Sequence, residues 1–195
     1  MPVTPASKVP LIALALGLAL GVLSSCQTTE GPARAGLVDT REAMVARVNP
    51  AVAVIWDITN EALGEGGELD PALMDAGAWT RLREAAEKLE AASRTMAEAQ
   101  VIRAGGPNLV GGEVPEGAAS RAEIQAMIDA DPAGFRAEAR DLAERARLLV
   151  DAARGRDGAA AGHRAAEINE PCQSCHTRYW YKQDSPQPGE GRPSA

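Results

Sequence analysis

The stretch AAAGHRAAEINEPCQSCHTRYWY, residues 159–181, joins a helical period to a chemical motif. Ala161, Ala165, Ile168, Cys172, Cys175 and Tyr179 recur at three- and four-residue steps, which puts them on one side of a helix. Two thiols therefore stand on its core-facing stripe. Cys172-Gln173-Ser174-Cys175-His176 has the C-x-x-C-H spacing at which a c-type haem is covalently attached. The spacing follows from the chemistry: two thiols three residues apart add across the two vinyl groups of one porphyrin, and the adjacent imidazole reaches the iron as proximal ligand. C-x-x-C alone is shared with zinc sites and thiol redox motifs, and the His directly after the second Cys narrows it.

Upstream of that segment the helical period recurs. Aromatic residues make up 3% of the chain, Ala is abundant and β-branched runs are nearly absent, a composition that favours helices. Residues 40–63 carry Met44, Val48, Val52, Ile55 and Ile58 at helical steps, with Pro50 expected to kink or divide the helix. Gly64, Gly66, Gly67 and Pro71 end it. Residues 75–104 predict a second helix with Trp79, Leu82, Leu89, Ala92 and Met96 on one face. A Gly/Pro-rich connector occupies residues 105–119. Ser120-Arg121-Ala122-Glu123 has capping-box spacing and starts a short helix that stops near Asp129. Asp131-Pro132 opens a third long helix, which buries Phe135, Leu142, Ala146, Leu149 and Ala153. Residues 155–158 turn the chain into the fourth. No strand pattern and no internal repeat stands out.

Four amphipathic helices with the 172–176 motif in the last resemble the class II c-type cytochromes, the cytochrome c-prime family. The matching features are that motif, Tyr179 after it and Met44 in the first helix, and the resemblance covers residues 39 to about 182. It implies an all-α fold, an antiparallel four-helix bundle holding one covalent haem c between its helices near the C-terminus. Pro50 and Pro171 inside expected helices, and the glycine-rich connector, depart from a regular bundle.

The resemblance also frames the coordination. Cys172 and Cys175 would become the haem thioethers and His176 the proximal ligand. The first helix of such a bundle is antiparallel to the fourth, which brings Met44 level with His176. Low-spin members of the family use a methionine early in the first helix as sixth ligand, and Met44 is the matching position; the other account of Met44 is a flexible core filler. His163 lies 13 residues before His176, roughly 20 Å away at the helical rise, and is expected to be exposed or turn-facing. The same distance disfavours a zinc site. Met96 and Met127 read as packing residues. No Ser/His/Asp constellation, second metal-spacing cluster or phosphate-binding glycine loop suggests an enzyme. Single-electron transfer is the expected function. The alternative is a five-coordinate haem protein binding or sensing small gases such as NO or CO, with Met44 merely packing; a third reading is a haem-containing accessory subunit.

The other end of the chain reads as an export signal. Residues 1–8 carry one positive charge, and residues 10–23, PLIALALGLALGVL, are apolar but shorter than the about 20 residues a bilayer span needs. Leu23-Ser24-Ser25-Cys26 resembles the lipobox of bacterial lipoproteins, which would make Cys26 a lipidated N-terminus; an ordinary secretory signal is the alternative. Gln27 stands where enteric-type sorting reads aspartate for retention in the inner membrane, which points to the outer one. These assignments use all three cysteines. The 27 acidic residues against 20 basic ones argue against nucleic acid; the balance is compatible with a basic redox partner, but it is also the ordinary solubility state of a soluble domain, which is the favoured reading. The resemblance further implies, by analogy alone, pairing of two copies through the first two helices. The expected organisation is a lipoprotein signal at residues 1–25, a membrane-bound flexible tether at 26–38, the four-helix domain at 39–183 in the periplasm, and a disordered tail at 184–195.

Overall fold

Aspartate and serine side chains open five of the seven described α-helices, and what they start is a bundle. The computed structural model describes residues 36–105 and 117–182. Strand β1 (Leu37–Asp39) leads into α1 (Thr40–Ala43), where Asp39 accepts from the Glu42 N–H. A π-helical turn (Met44–Val48) and α2 (Asn49–Glu61) continue the same rod. A loop carrying the Pro71–Leu73 turn then leads to α3 (Ala76–Ala97), capped by Asp75. Strand β2 (Val101–Arg103) follows. Beyond the connector come α4 (Arg121–Ala130), α5 (Pro132–Gly155), α6 (Gly158–Glu167) and α7 (Asn169–Tyr179). Ser120 and Glu123 form the expected capping box, and Asp131 caps α5 through the Gly134 N–H. Each such cap satisfies an otherwise orphaned amide, worth about 1 kcal/mol.

The apolar stripes meet as the periodicity predicts. Ile55, Leu82, Leu89, Ala146, Leu149 and Ile168 are fully buried, one continuous core among four rods: α1–α2 with its π turn, α3, α5, and α6–α7. The broadest interface is α3 against α5; α2 packs on α3 and α6, and α5 on α6 and α7. Outside the core, Glu87 of α3 receives Arg83 at 2.8 Å and Arg154 of α5 at 2.9 Å. The turn into α6 is equally close-fitting: a Cβ at Gly158 would lie 2.3 Å from Pro71 Cγ.

Three expectations need correction. First, the chain does form strands: β1 and β2 pair in parallel, Leu37 with Val101, Val38 with Ile102 and Asp39 with Arg103. Leu37 and Val38, read as the end of a tether, are thus part of the fold, with Val38 buried. Gln125 holds the far side of β2, donating to the Ile102 carbonyl and accepting from the Ala104 N–H. Second, α3 stops at Ala97 and not at Ala104, because Gln100 and Val101 give their N–H groups to the Gly36 carbonyl. Third, the fourth helix is two helices that meet at Ile168. Pro171 has no N–H for the Glu167 carbonyl four residues earlier. Arg145 of α5 supplies a donor instead, at 3.4 Å, and also pairs with Glu170 at 2.9 Å. Cys26, the export signal, most of the connector and the tail lie outside the described residues.

Candidate functional site

Cys172 and Cys175 sit three residues apart on α7, so their side chains emerge from the same face. Both are half-buried free thiols packed against the core. They look into a partly open cavity of about 300 Å³ to which every rod contributes. Met44, Val48, Val52 and Trp56 come from the first rod, Met96 from α3, Phe135, Glu138 and Leu142 from α5, and Pro171 and His176 join the two cysteines from α7. The structure thereby brings together the four predicted residues, Met44, Cys172, Cys175 and His176, from opposite ends of the chain.

The site's electrostatics follow from its apolar wall. Burial raises the Cys172 thiol, and burial reinforced by the nearby Glu138 carboxylate pushes Cys175 up to about 12. Burial also holds the His176 imidazole below the usual histidine range, which keeps it neutral with a lone pair to offer. Trp180 leans over that ring, with centroids 6.1 Å apart. One turn further along α7, buried Tyr179 donates to the Asp131 carbonyl at 3.1 Å and meets Phe135 edge-on at 5.5 Å. These contacts fix the rotation of α7 about its axis, and so the direction of both thiols.

Glu138 is the residue that sequence reasoning missed. It is the carboxylate on this wall among the described residues, with 16% of its side chain exposed. Ser174 donates to it at 2.9 Å, and the Arg178 guanidinium lies 3.9 Å away. A signal was present: Glu138 falls one turn after Phe135 and one before Leu142, a charge on a stripe otherwise apolar. Trp56, one turn past Val52, was also overlooked.

The remaining expectations concern residues away from the wall. His163 lies outside the cavity, with 68% of its side chain exposed and its Nδ1 3.3 Å from Glu167. Met96 is buried and lines the cavity, whereas Met127 packs on the core elsewhere. Among the described residues, no group of three or more His, Cys, Asp or Glu side chains has metal-holding geometry. No helix among them is long and apolar enough to cross a membrane.

Two thiols at vinyl spacing, a neutral imidazole beside them and a thioether on the facing rod form a donor set that suits a covalently attached iron porphyrin, and an apolar wall suits its macrocycle. A family model described as Cytochrome C' matches residues 78–180, from the first turn of α3 to the end of α7. No curated protein and no solved structure matches the chain.

Proposed function

The chain belongs to the cytochrome c′ family and is a c-type haem protein, and from that premise we propose that it carries single electrons at the periplasmic face of a bacterial membrane. Bound haem c supplies a one-electron Fe(III)/Fe(II) couple. The residues of this chain hold and tune that couple: Cys172 and Cys175 fix the macrocycle by thioether bonds, and His176 offers its neutral ring nitrogen as proximal ligand. Met44 completes the shell from the facing rod, and a soft thioether there favours the low-spin, higher-potential state. The observation that supports this reading is the convergence of all four side chains on one apolar cavity. Cytochrome c′ proteins are generally not enzymes, and the role proposed here is likewise a carrier's.

Location and tethering belong to the same proposal. Members of the family are typically periplasmic. Cys26 would bear the acyl chains, with residues 1–25 removed and the segment from Gln27 to the start of β1 as a leash to the outer membrane. The net acidic balance argues against nucleic acid as a partner, and the redox partner is left unassigned.

The deciding experiment is the absorption spectrum of full-length holoprotein with and without carbon monoxide. Low-spin ferrous bands that the gas does not disturb are expected. A five-coordinate spectrum with rapid gas binding overturns the carrier reading. Cys26→Ser is expected to release the protein from the membrane fraction.

A further inference from the structure

Met44 opens the π-helical turn, and the widening of that turn is what brings its side chain round to the cavity. Fully buried Ile55 marks the centre of the face that α2 presents to the bundle. Viewed down the axis at about 100° per residue, Val52 stands about 60° from Ile55 and Trp56 about 100° in the same direction. Both line the cavity. In an unbroken α-helix Met44 would fall about 20° to the other side of Ile55, between it and Ala51, facing the bundle core. A π turn takes up one extra residue, so everything before it is rotated by about 100°. Met44 then stands at about 80°, in the row of Val52 and Trp56.

Pro50 supplies a local cause for the turn. It has no N–H for the Ala46 carbonyl, and in an α-helix its ring would collide with that carbonyl. The observed backbone avoids the collision by reaching one residue further: the Asn49 N–H bonds to the Met44 carbonyl, five residues back. We infer that Pro50, by holding the π turn open, is a positioning residue that presents the Met44 thioether to the haem iron. This inference rests on the reading of Met44 as sixth ligand. It makes ligation a matter of helix phase, set by a residue that does not line the cavity.

The test compares holoprotein variants by absorption spectroscopy in both oxidation states and by carbon monoxide binding. Pro50 is exposed, and Pro50→Ala is expected to keep covalent haem and the parental helical circular dichroism. It is also expected to lose the low-spin thioether spectrum and to gain gas binding, as Met44→Ala does. Deleting Ala46 in the Pro50→Ala background removes the extra residue and leaves Met44 in the cavity row of a continuous α-helix, so the parental spectrum is expected to return. Pro50→Ala with an unchanged spectrum overturns the inference and leaves Met44 a ligand. An unchanged spectrum for Met44→Ala overturns both.

Discussion

The first and last rods of the bundle each contain a proline where an uninterrupted helix would need an amide, and they respond differently. At Pro50 the helix widens and continues, with the Met44 carbonyl taken by the Asn49 amide within the same rod. At Pro171 the helix ends at Glu167 and restarts at Asn169, and the Glu167 carbonyl is taken by Arg145 from another rod. A proline therefore does not by itself decide between a bulge and a break. What differs is the source of the compensating bond: in the first rod a backbone amide of the same rod reaches one residue further back, and in the last rod an arginine of α5 takes the carbonyl that Pro171 leaves without a donor. The local solution shifts the phase of one rod, and the tertiary solution ties the other to α5.

Removing the thiols tests the last rod most severely. Cys172→Ala with Cys175→Ala is expected to abolish covalent haem altogether, read as loss of haem staining on a denaturing gel, since only thioether bonds survive unfolding. Persistent staining would refute the attachment site. The first rod contributes no covalent bond, so Met44→Ala should keep the stain in full.

Next in size is the break itself. Ile168 is fully buried at the junction of α6 and α7, and Ile168→Ala should cost about 2–5 kcal/mol in chemical denaturation. Arg145→Ala strips the Glu167 carbonyl of its outside donor and should cost about 1–2 kcal/mol. A comparable loss from an exposed residue of α2 such as Asp57→Ala would undo the contrast between a tertiary and a local solution.

A smaller effect is expected on the couple. Glu138 places a negative charge beside the cavity, which stabilises the more positive ferric state. Glu138→Gln should raise the reduction potential by up to roughly 60 mV, about tenfold in the one-electron equilibrium. A lower potential in that variant would contradict the charge argument.

The smallest expected effect is one of pH. The Arg164 guanidinium, with help from His163 and Arg145, holds the Glu167 carboxyl below the usual carboxylate range. A carboxyl depressed in the folded state adds stability above its unfolded pKa, and that stability is lost as pH falls through the folded value. Amide protection factors around the α6–α7 junction, taken relative to the intrinsic exchange rate at each pH, should therefore fall in mild acid, and Glu167→Gln should flatten the dependence.

The sequence was most legible where one residue type has one use. The C-x-x-C-H spacing, the Ser120 capping box and the Asp131-Pro132 start each name a local geometry, and the long stripes of α3 and α5 name a buried face. It was least legible where the outcome depends on a distant partner. Three-residue strands carry too little alternation to register, and β2 replaces the expected end of α3 only because Gly36 offers its carbonyl from the other end of the first rod. The α6–α7 break needs Arg145, 26 residues before Pro171. Pro50 announced an interruption but not its form, and that form determines whether Met44 faces the core or the cavity.

The paired strands bear on how the domain would carry load in the proposed tethered form. A pull arriving along the chain before residue 36 reaches β1 first, and β1 is joined side by side to β2 in parallel. Tension along the strand loads the bonds between β1 and β2 in shear, all together and not one after another. Gln125 of α4 braces β2 from its far side. In the proposed tethered form, a pull on the domain would be taken up at this clamp before it reached Met44, five residues beyond Asp39, so the proposed ligand would be mechanically insulated from the proposed anchor.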